Sequence, residues 1–285
     1  VSRLTVPKTY KLYVGGKFPR SESGRTYEVT TPKGAFLANA AQGSRKDARD
    51  AVVAARSAVS GWSGATGYNR GQVLYRIAEL LEGRRAQFVD EIVQSEGVSA
   101  AGAAVDAAID VWVWYAGWAD KYAQVSGTAN PVSGPYFNLS VPEPTGVVAA
   151  IAPQQRKGAS LLGLAAVVAP VILTGNTVVV VANELAPLSA ISLGEVLATS
   201  DVPGGVVNIL TGSPAEMAPW LAAHADVNAL DLAGAGDLEW VDLQIAAAET
   251  LTRVLQPEPG IPSPSLDRIG AFVEIKTVWH TKAML

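Results

Sequence analysis

An α/β fold built on a parallel sheet, with a helical N-terminal region packed against it, is the class this sequence predicts. Three observations carry that expectation. From Gly146 onward short apolar runs alternate with helical segments. The runs Val147–Ala152 and Thr177–Val181 are apolar or β-branched at every position, the pattern of strands buried on both faces. Before Gln124 most segments instead repeat their apolar residues at helical spacing, so that region covers a sheet rather than building one.

Taken in order, Lys11–Phe18 reads as a strand and turn with Gly15-Gly16 at the bend, and Tyr27–Thr31 as a strand ended by Pro32. A helix starts at Ser44, whose side chain suits the cap while Asp47 suits the positive helix end. Arg70–Leu81, Ala86–Val93 and Ala101 through the Trp112, Trp114, Tyr115, Trp118 cluster follow as helices. That aromatic spacing favours packing or an interface over a ligand cage. Ser126–Gly134 is turn-rich, and Phe137–Val141 alternates like a strand exposed on one face. Then come helix Ser160–Val171, helix Pro187–Thr199, strand Val206–Leu210, helix Pro214–His224 and strand Val227–Leu232. Asp242–Leu255 reads as helix, Gln256–Pro264 as a proline-rich connector, Ser265–Phe272 as a short helix and Val273–Trp279 as a closing strand. The face shared by Phe137, Leu139 and Val141 is expected to pack on the face shared by Val273, Ile275 and Trp279. The resulting division is 1–125 for N-terminal strands and helices, 126–145 for a projecting hairpin, 146–240 for the parallel-sheet domain and 241–285 for a linker helix and return strand.

Composition narrows the function classes. Cysteine is absent, which removes disulfides, thiolate metal sites and any cysteine nucleophile. Only His224 and His280 are histidines, so no histidine-rich metal site is expected, and both read as structural. A net charge of −4 gives no electrostatic reason to expect nucleic acid or an anionic membrane as partner. The longest apolar run, Leu161–Leu173, is too short to span a bilayer, and Val1–Tyr10 lacks a signal-peptide core. A cytoplasmic location is the expectation. The chain opens on Val1, which points to trimming or to residues upstream.

Several motifs together resemble the aldehyde dehydrogenase superfamily. They are Tyr13-Val14-Gly15-Gly16-Lys17-Phe18, Gly61-Trp62-Ser63 with Arg70, Tyr115 to Lys121, Glu143 to Val148 with Ile151-Ala152-Pro153, Gly175-Asn176-Thr177-Val178-Val179, and Pro203 to Asn208 with Thr211-Gly212. The resemblance implies a Rossmann-type sheet, an oligomerisation hairpin over 126–145 and a C-terminal return strand in Glu274–His280. It also implies a catalytic domain with a nucleophilic cysteine and a glutamate base in an E-L-G-G motif, and neither occurs here. In plan the chain resembles the truncated second copy of long, two-copy aldehyde dehydrogenases, without the catalytic domain.

Carried over residue by residue, the resemblance assigns no catalytic residue and leaves a vestigial cofactor set of Glu184, Gly212 and Gly234. The family's ribose-binding lysine falls on Val181, and the serine of its F-T-G-S turn on Ala235. Its oxyanion asparagine follows a Pro-Trp pair, whereas here Pro153 precedes Gln154-Gln155-Arg156-Lys157. Each missing polar contact is worth about 1 kcal/mol or more, so NAD or NADP binding is expected to be weak by at least about tens-fold. No metal is expected. The expected role is therefore that of a non-catalytic family member, a pseudoenzyme, acting as a homo-oligomer or as partner subunit of an active aldehyde dehydrogenase. The alternatives are an NAD(P)-binding protein and an oxidoreductase-type enzyme on a repurposed site around Gln154–Lys157.

Overall fold

The computed structural model describes residues 4 and 6–282 of the 285. The reading made of Val1 lies outside the described residues. Two short strands, β1 (Thr9–Tyr10) and β2 (Thr26–Thr30), flank β3 (Phe36–Ala41) in a small mixed sheet of order β1-β3-β2. The sequence reading missed β3, whose small residues Ala38, Ala40 and Ala41 carry little β signal until they are packed. Tyr13 and Val14, read as strand, make only isolated bridges, to Ile209 and Lys17.

Helix α1 (Arg45–Ser63) begins where the capping chemistry places it. Ser44 accepts from the Asp47 N–H and the Asp47 carboxylate accepts from the Ser44 N–H, so two otherwise orphaned donors are satisfied reciprocally. Next come α2 (Gly67–Gly83), α3 (Arg85–Glu96), α4 (Ala101–Trp118) and the single turn α5 (Tyr122–Ser126). In α4 the aromatic cluster is packing: Trp112 and Tyr115 are buried, and Trp114 stands edge-on to Tyr115 at 4.9 Å.

Five parallel strands make the main sheet, in the order β10-β9-β6-β7-β8. They are β6 (Val147–Ile151), β7 (Thr177–Val181), β8 (Val207–Leu210), β9 (Ala229–Asp231) and β10 (Arg253–Leu255). Helices α6 (Ala159–Leu173), α7 (Leu188–Leu197), α8 (Pro214–Ala222) and α9 (Trp240–Ala248) connect them. Alternate residues divide between two cores, as a pleated strand requires. Val148, Ala150, Val178 and Val180 face the layer of α2, α4, α6 and α7. Val147, Ala149, Ile151, Val179 and Val181 face that of α1, α8 and α9. Helix α6 lies between α4 and the sheet, which explains why all its residues but Leu162 are buried.

One helical reading is corrected here. Asp242–Leu255 is not continuous helix: α9 stops at Ala248, and Arg253–Leu255 pairs with β9 as the fifth parallel strand. Three residues are too few to show a period, and only the β9 edge makes them a strand. Helix α10 (Leu266–Gly270) then leads into β11 (Val273–Thr281).

The third sheet is antiparallel, of order β11-β5-β4, with β4 (Thr128–Asn130) and β5 (Tyr136–Pro144). Its register overturns the expectation that one apolar face of β5 meets one apolar face of β11. Phe137, Leu139 and Val141 lie opposite His280, Val278 and Lys276, whereas Ile275 and Trp279 lie opposite Pro142 and Asn138. Directly opposed residues share a face, so the two apolar sets occupy opposite faces of the sheet. Among the described residues no helix is long and apolar enough to cross a membrane.

Candidate functional site

In an open parallel sheet, ligands sit outside the carboxyl ends of the strands, where the chain reverses direction across the sheet. Here β6 starts the sheet, β7 and β8 extend it one way and β9 and β10 the other, so the reversal falls between β6 and β9. The loops at that end are Ala152–Gly158 after β6, Ala182–Pro187 after β7, Thr211–Ser213 after β8 and Leu232–Glu239 after β9.

The chain's own groups fill this end. Gly234 donates its N–H to the Ile151 carbonyl at 2.9 Å, laying the β9 loop across the end of β6. A Cβ there would stand 2.0 Å from the Ala152 carbonyl oxygen, so only glycine allows this close approach. Gln154 donates to the Ala152 carbonyl at 2.6 Å and accepts from the Glu184 N–H at 2.9 Å, clamping the β6 and β7 loops together. Asn183 completes the clamp, donating to the Pro153 and Gln155 carbonyls and accepting from the Leu185 and Ala186 N–H groups. Gln154 thus has a structural use that its loop position alone does not reveal.

The N-terminus of α6, where an anion would find free N–H groups, is also occupied. Buried Glu96, at the end of α3, accepts from the Gly158 and Ala159 N–H groups at 2.7 and 3.0 Å and from the Ser160 hydroxyl at 2.5 Å. Ser160 in turn contacts Ser189 Oγ at 2.8 Å. Sequence reading missed Glu96, because nothing local links a residue at the end of one helix to the start of another more than sixty residues on.

Of the expected cofactor residues, Glu184 and Gly212 come near each other, and Gly234 belongs to the loop over β6. Tyr27 on β2 links the first two. Its hydroxyl is buried beside Glu184 and the Gly212 backbone without completing a hydrogen bond, and burial, then the Glu184 charge, hold its pKa well above the usual tyrosine range. Burial likewise raises the Glu184 carboxyl above the usual carboxylate range. Gly212 takes φ +116°, and a Cβ there would lie 2.9 Å from the Gly43 nitrogen, so backbone packing requires this glycine. Val181 and Ala235 are fully buried with Met217, Leu221 and Leu243 in the core beneath α8 and α9. Among the described residues no group of three or more His, Asp or Glu converges as a metal-ligand set.

Beside β9, Asp231 is fully buried and paired with buried Arg268 of α10 at 2.5 Å, while Glu258 contacts the same guanidinium at 3.3 Å. This triad fastens the connector 256–265 and the segment leading into β11 to the sheet.

The family model described as "Aldehyde dehydrogenase family" matches residues 18–255. Among curated relatives, "Aldehyde dehydrogenase family 2 member B4, mitochondrial" of Arabidopsis thaliana is 33% identical over 250 residues, covering 86% of this chain and 45% of the relative. Retinal dehydrogenase 2 of Gallus gallus is 32% identical over 266 residues, covering 91% and 50%. A solved NAD+ complex of an aldehyde dehydrogenase from Bacillus cereus superimposes with TM-score 0.78 at 26% identity, over 87% of this chain and 50% of that one. Betaine aldehyde dehydrogenase from Staphylococcus aureus, also with NAD+, gives 0.78 at 25% identity over 86% and 48%. The chain spans about half the length of these curated relatives.

Proposed function

We propose that this chain, which belongs to the aldehyde dehydrogenase family, acts by association rather than by turnover. It is a non-catalytic member that pairs with itself or with an active aldehyde dehydrogenase. The observation that carries this reading is the antiparallel sheet. Strand β11 is nine residues long and, among the described residues, lies at the sheet edge and is paired on one side only. Apolar side chains stand exposed on both sheet faces: Ile275 and Trp279 on one, Phe137 and Val141 on the other. A long unpaired edge with exposed apolar side chains beside it is a template for another strand, and main-chain pairing with a second sheet edge is the direct way to cover it.

The non-catalytic half of the proposal is supported by the sequence. Thioester chemistry on an aldehyde needs a thiolate to attack the carbonyl, and the chain has no cysteine. NAD is the cofactor the family implies, and the residues at its expected place do not fit it. Glu96 takes the first N–H groups at the start of α6, the Gly234 loop closes on β6, and the side chains of Val181 and Ala235 offer no polar atom. A reading as dinucleotide binder would rest on Glu184 and the intact parallel sheet.

The test is light scattering on the full chain at micromolar concentration, beside a variant lacking residues 273–285, of which 283–285 lie outside the described residues. An oligomer that becomes monomer or precipitate on deletion is the expected result. A full-length monomer at high micromolar concentration overturns the proposal. Aldehyde-dependent NADH production that is lost on mutating the chain overturns its non-catalytic half, and low-micromolar binding of NAD or NADP in calorimetry overturns the weak-binding reading.

A further inference from the structure

Away from both sheets considered so far, a groove of about 800 Å³ runs between the first turns of α1 and the end of α8. Its volume lies in the range of small-molecule sites. The floor is apolar, with Ala48 and Leu221 buried beneath it. The turn at 21–25 forms one rim and is held in place from α1: the Asp47 carboxylate accepts from the Ser21 hydroxyl at 2.8 Å and from the Glu22 N–H at 3.0 Å. The groove therefore exists before any ligand arrives.

Its lining is rich in donors. Four cations, Arg25, Arg45, Lys46 and Arg49, face two carboxylates, Glu22 and Glu216, giving a local excess of two positive charges in a chain of net charge −4. The two carboxylates are already engaged, Glu216 with Arg25 at 2.8 Å and Glu22 with Lys46 at 2.9 Å. Among the described residues Arg49 pairs only with its neighbour Asp50, at 2.7 Å on the exposed surface. Among the described residues no carboxylate pairs with Arg45, whose guanidinium instead lies 4.8 Å from the centre of the Trp220 ring. Trp220 is 51% exposed and lines the groove beside Arg45. At the far end the His224 Nδ1 accepts from the Asp226 N–H at 3.1 Å, which places the proton of the neutral ring on Nε2 and makes that atom a donor.

We propose that this groove binds a small planar aromatic anion. The ring stacks on Trp220, the carboxylate or phosphate is held by Arg45 and Arg49, and His224 Nε2–H offers a further donor. Both arginines are exposed and at successive positions of one helical face, so a forked contact costs no rearrangement of the core. The site uses no residue of β4, β5 or β11 and stands independently of the association proposal.

The full chain is titrated by calorimetry with adenosine monophosphate, with an indole carboxylate and with uncharged adenosine. Sub-millimolar binding of at least one anion, with adenosine bound at least about tenfold more weakly, is the expected result, because a charge-assisted fork contributes on that scale. Binding of the nucleotide alone assigns a phosphate ligand, and binding of the indole acid alone a carboxylate. The double variant Arg45→Ala with Arg49→Ala, and separately Trp220→Leu, each reduce affinity about tenfold or more while thermal melting stays unchanged. Failure of both anions to bind, equal binding of adenosine, or binding indifferent to either variant overturns the proposal.

Discussion

The two larger sheets of this molecule treat their polar groups and edges in opposite ways. At the carboxyl end of the parallel sheet the loops after β6 and β7 are tied together by Gln154 and Asn183, the Gly234 N–H ties the loop after β9 to β6, and Glu96 takes the first N–H groups at the start of α6. In the antiparallel sheet the interior is satisfied, since Asn130 donates to Ser140 and Ser140 meets Thr277, but the β11 edge and the apolar side chains of both faces are left open. The comparison teaches where this chain retains binding capacity. A parallel sheet offers a ligand site only if its strand ends keep free donors, and here those donors are engaged internally. An antiparallel sheet at the surface offers an edge by construction.

The comparison predicts that substitutions in the parallel-sheet region act on stability, and those on the antiparallel sheet on association. The largest effect is expected at the buried pair. Arg268→Leu leaves the Asp231 carboxylate without its guanidinium in a fully buried setting, and should lower unfolding stability in urea by about 3–5 kcal/mol. Combining it with Asp231→Leu should recover most of that loss, because the uncompensated charge is what destabilises. A double variant no more stable than Arg268→Leu would show that the pair's geometry, not its charge, holds the connector.

A smaller loss, about 2–3 kcal/mol, is expected for Glu96→Ala, which strips the acceptors from the first N–H groups of α6. Glu96→Gln keeps one acceptor and should cost about 1 kcal/mol, the part owed to charge at the helix end. If Glu96→Ala melts like the parent, the strand ends are not closed in the way described and the contrast between the sheets collapses. Least of all should stability respond to Ile275→Lys with Trp279→Lys. Both side chains are more than half exposed, at 54% and 59%, so the unfolding free energy of the isolated chain should move within about 0.5 kcal/mol. The same variant should shift the oligomer toward monomer in light scattering. A large stability loss with unchanged assembly would reverse the assignment of the two sheets.

Much of this was written in local sequence. The Ser44–Asp47 reciprocal cap, the Thr177–Val181 strand and the α4 helix with its aromatic cluster appear where residue spacing puts them, because each depends on neighbours within one or two turns. So does the absence of a thiol, which needs no coordinates at all. The tertiary structure alone decided the rest, and in each case the deciding contact joins distant parts of the chain. Strand alternation fixes which residues of β11 share a face, but only pairing with β5, more than a hundred residues earlier, decides that Ile275 and Phe137 lie on opposite faces. Arg253–Leu255 became a strand because β9 offered an edge. Glu96 became a helix cap, and Arg45 and Trp220 walls of one groove, because packing brought separate elements together, and composition and periodicity carry no record of such meetings.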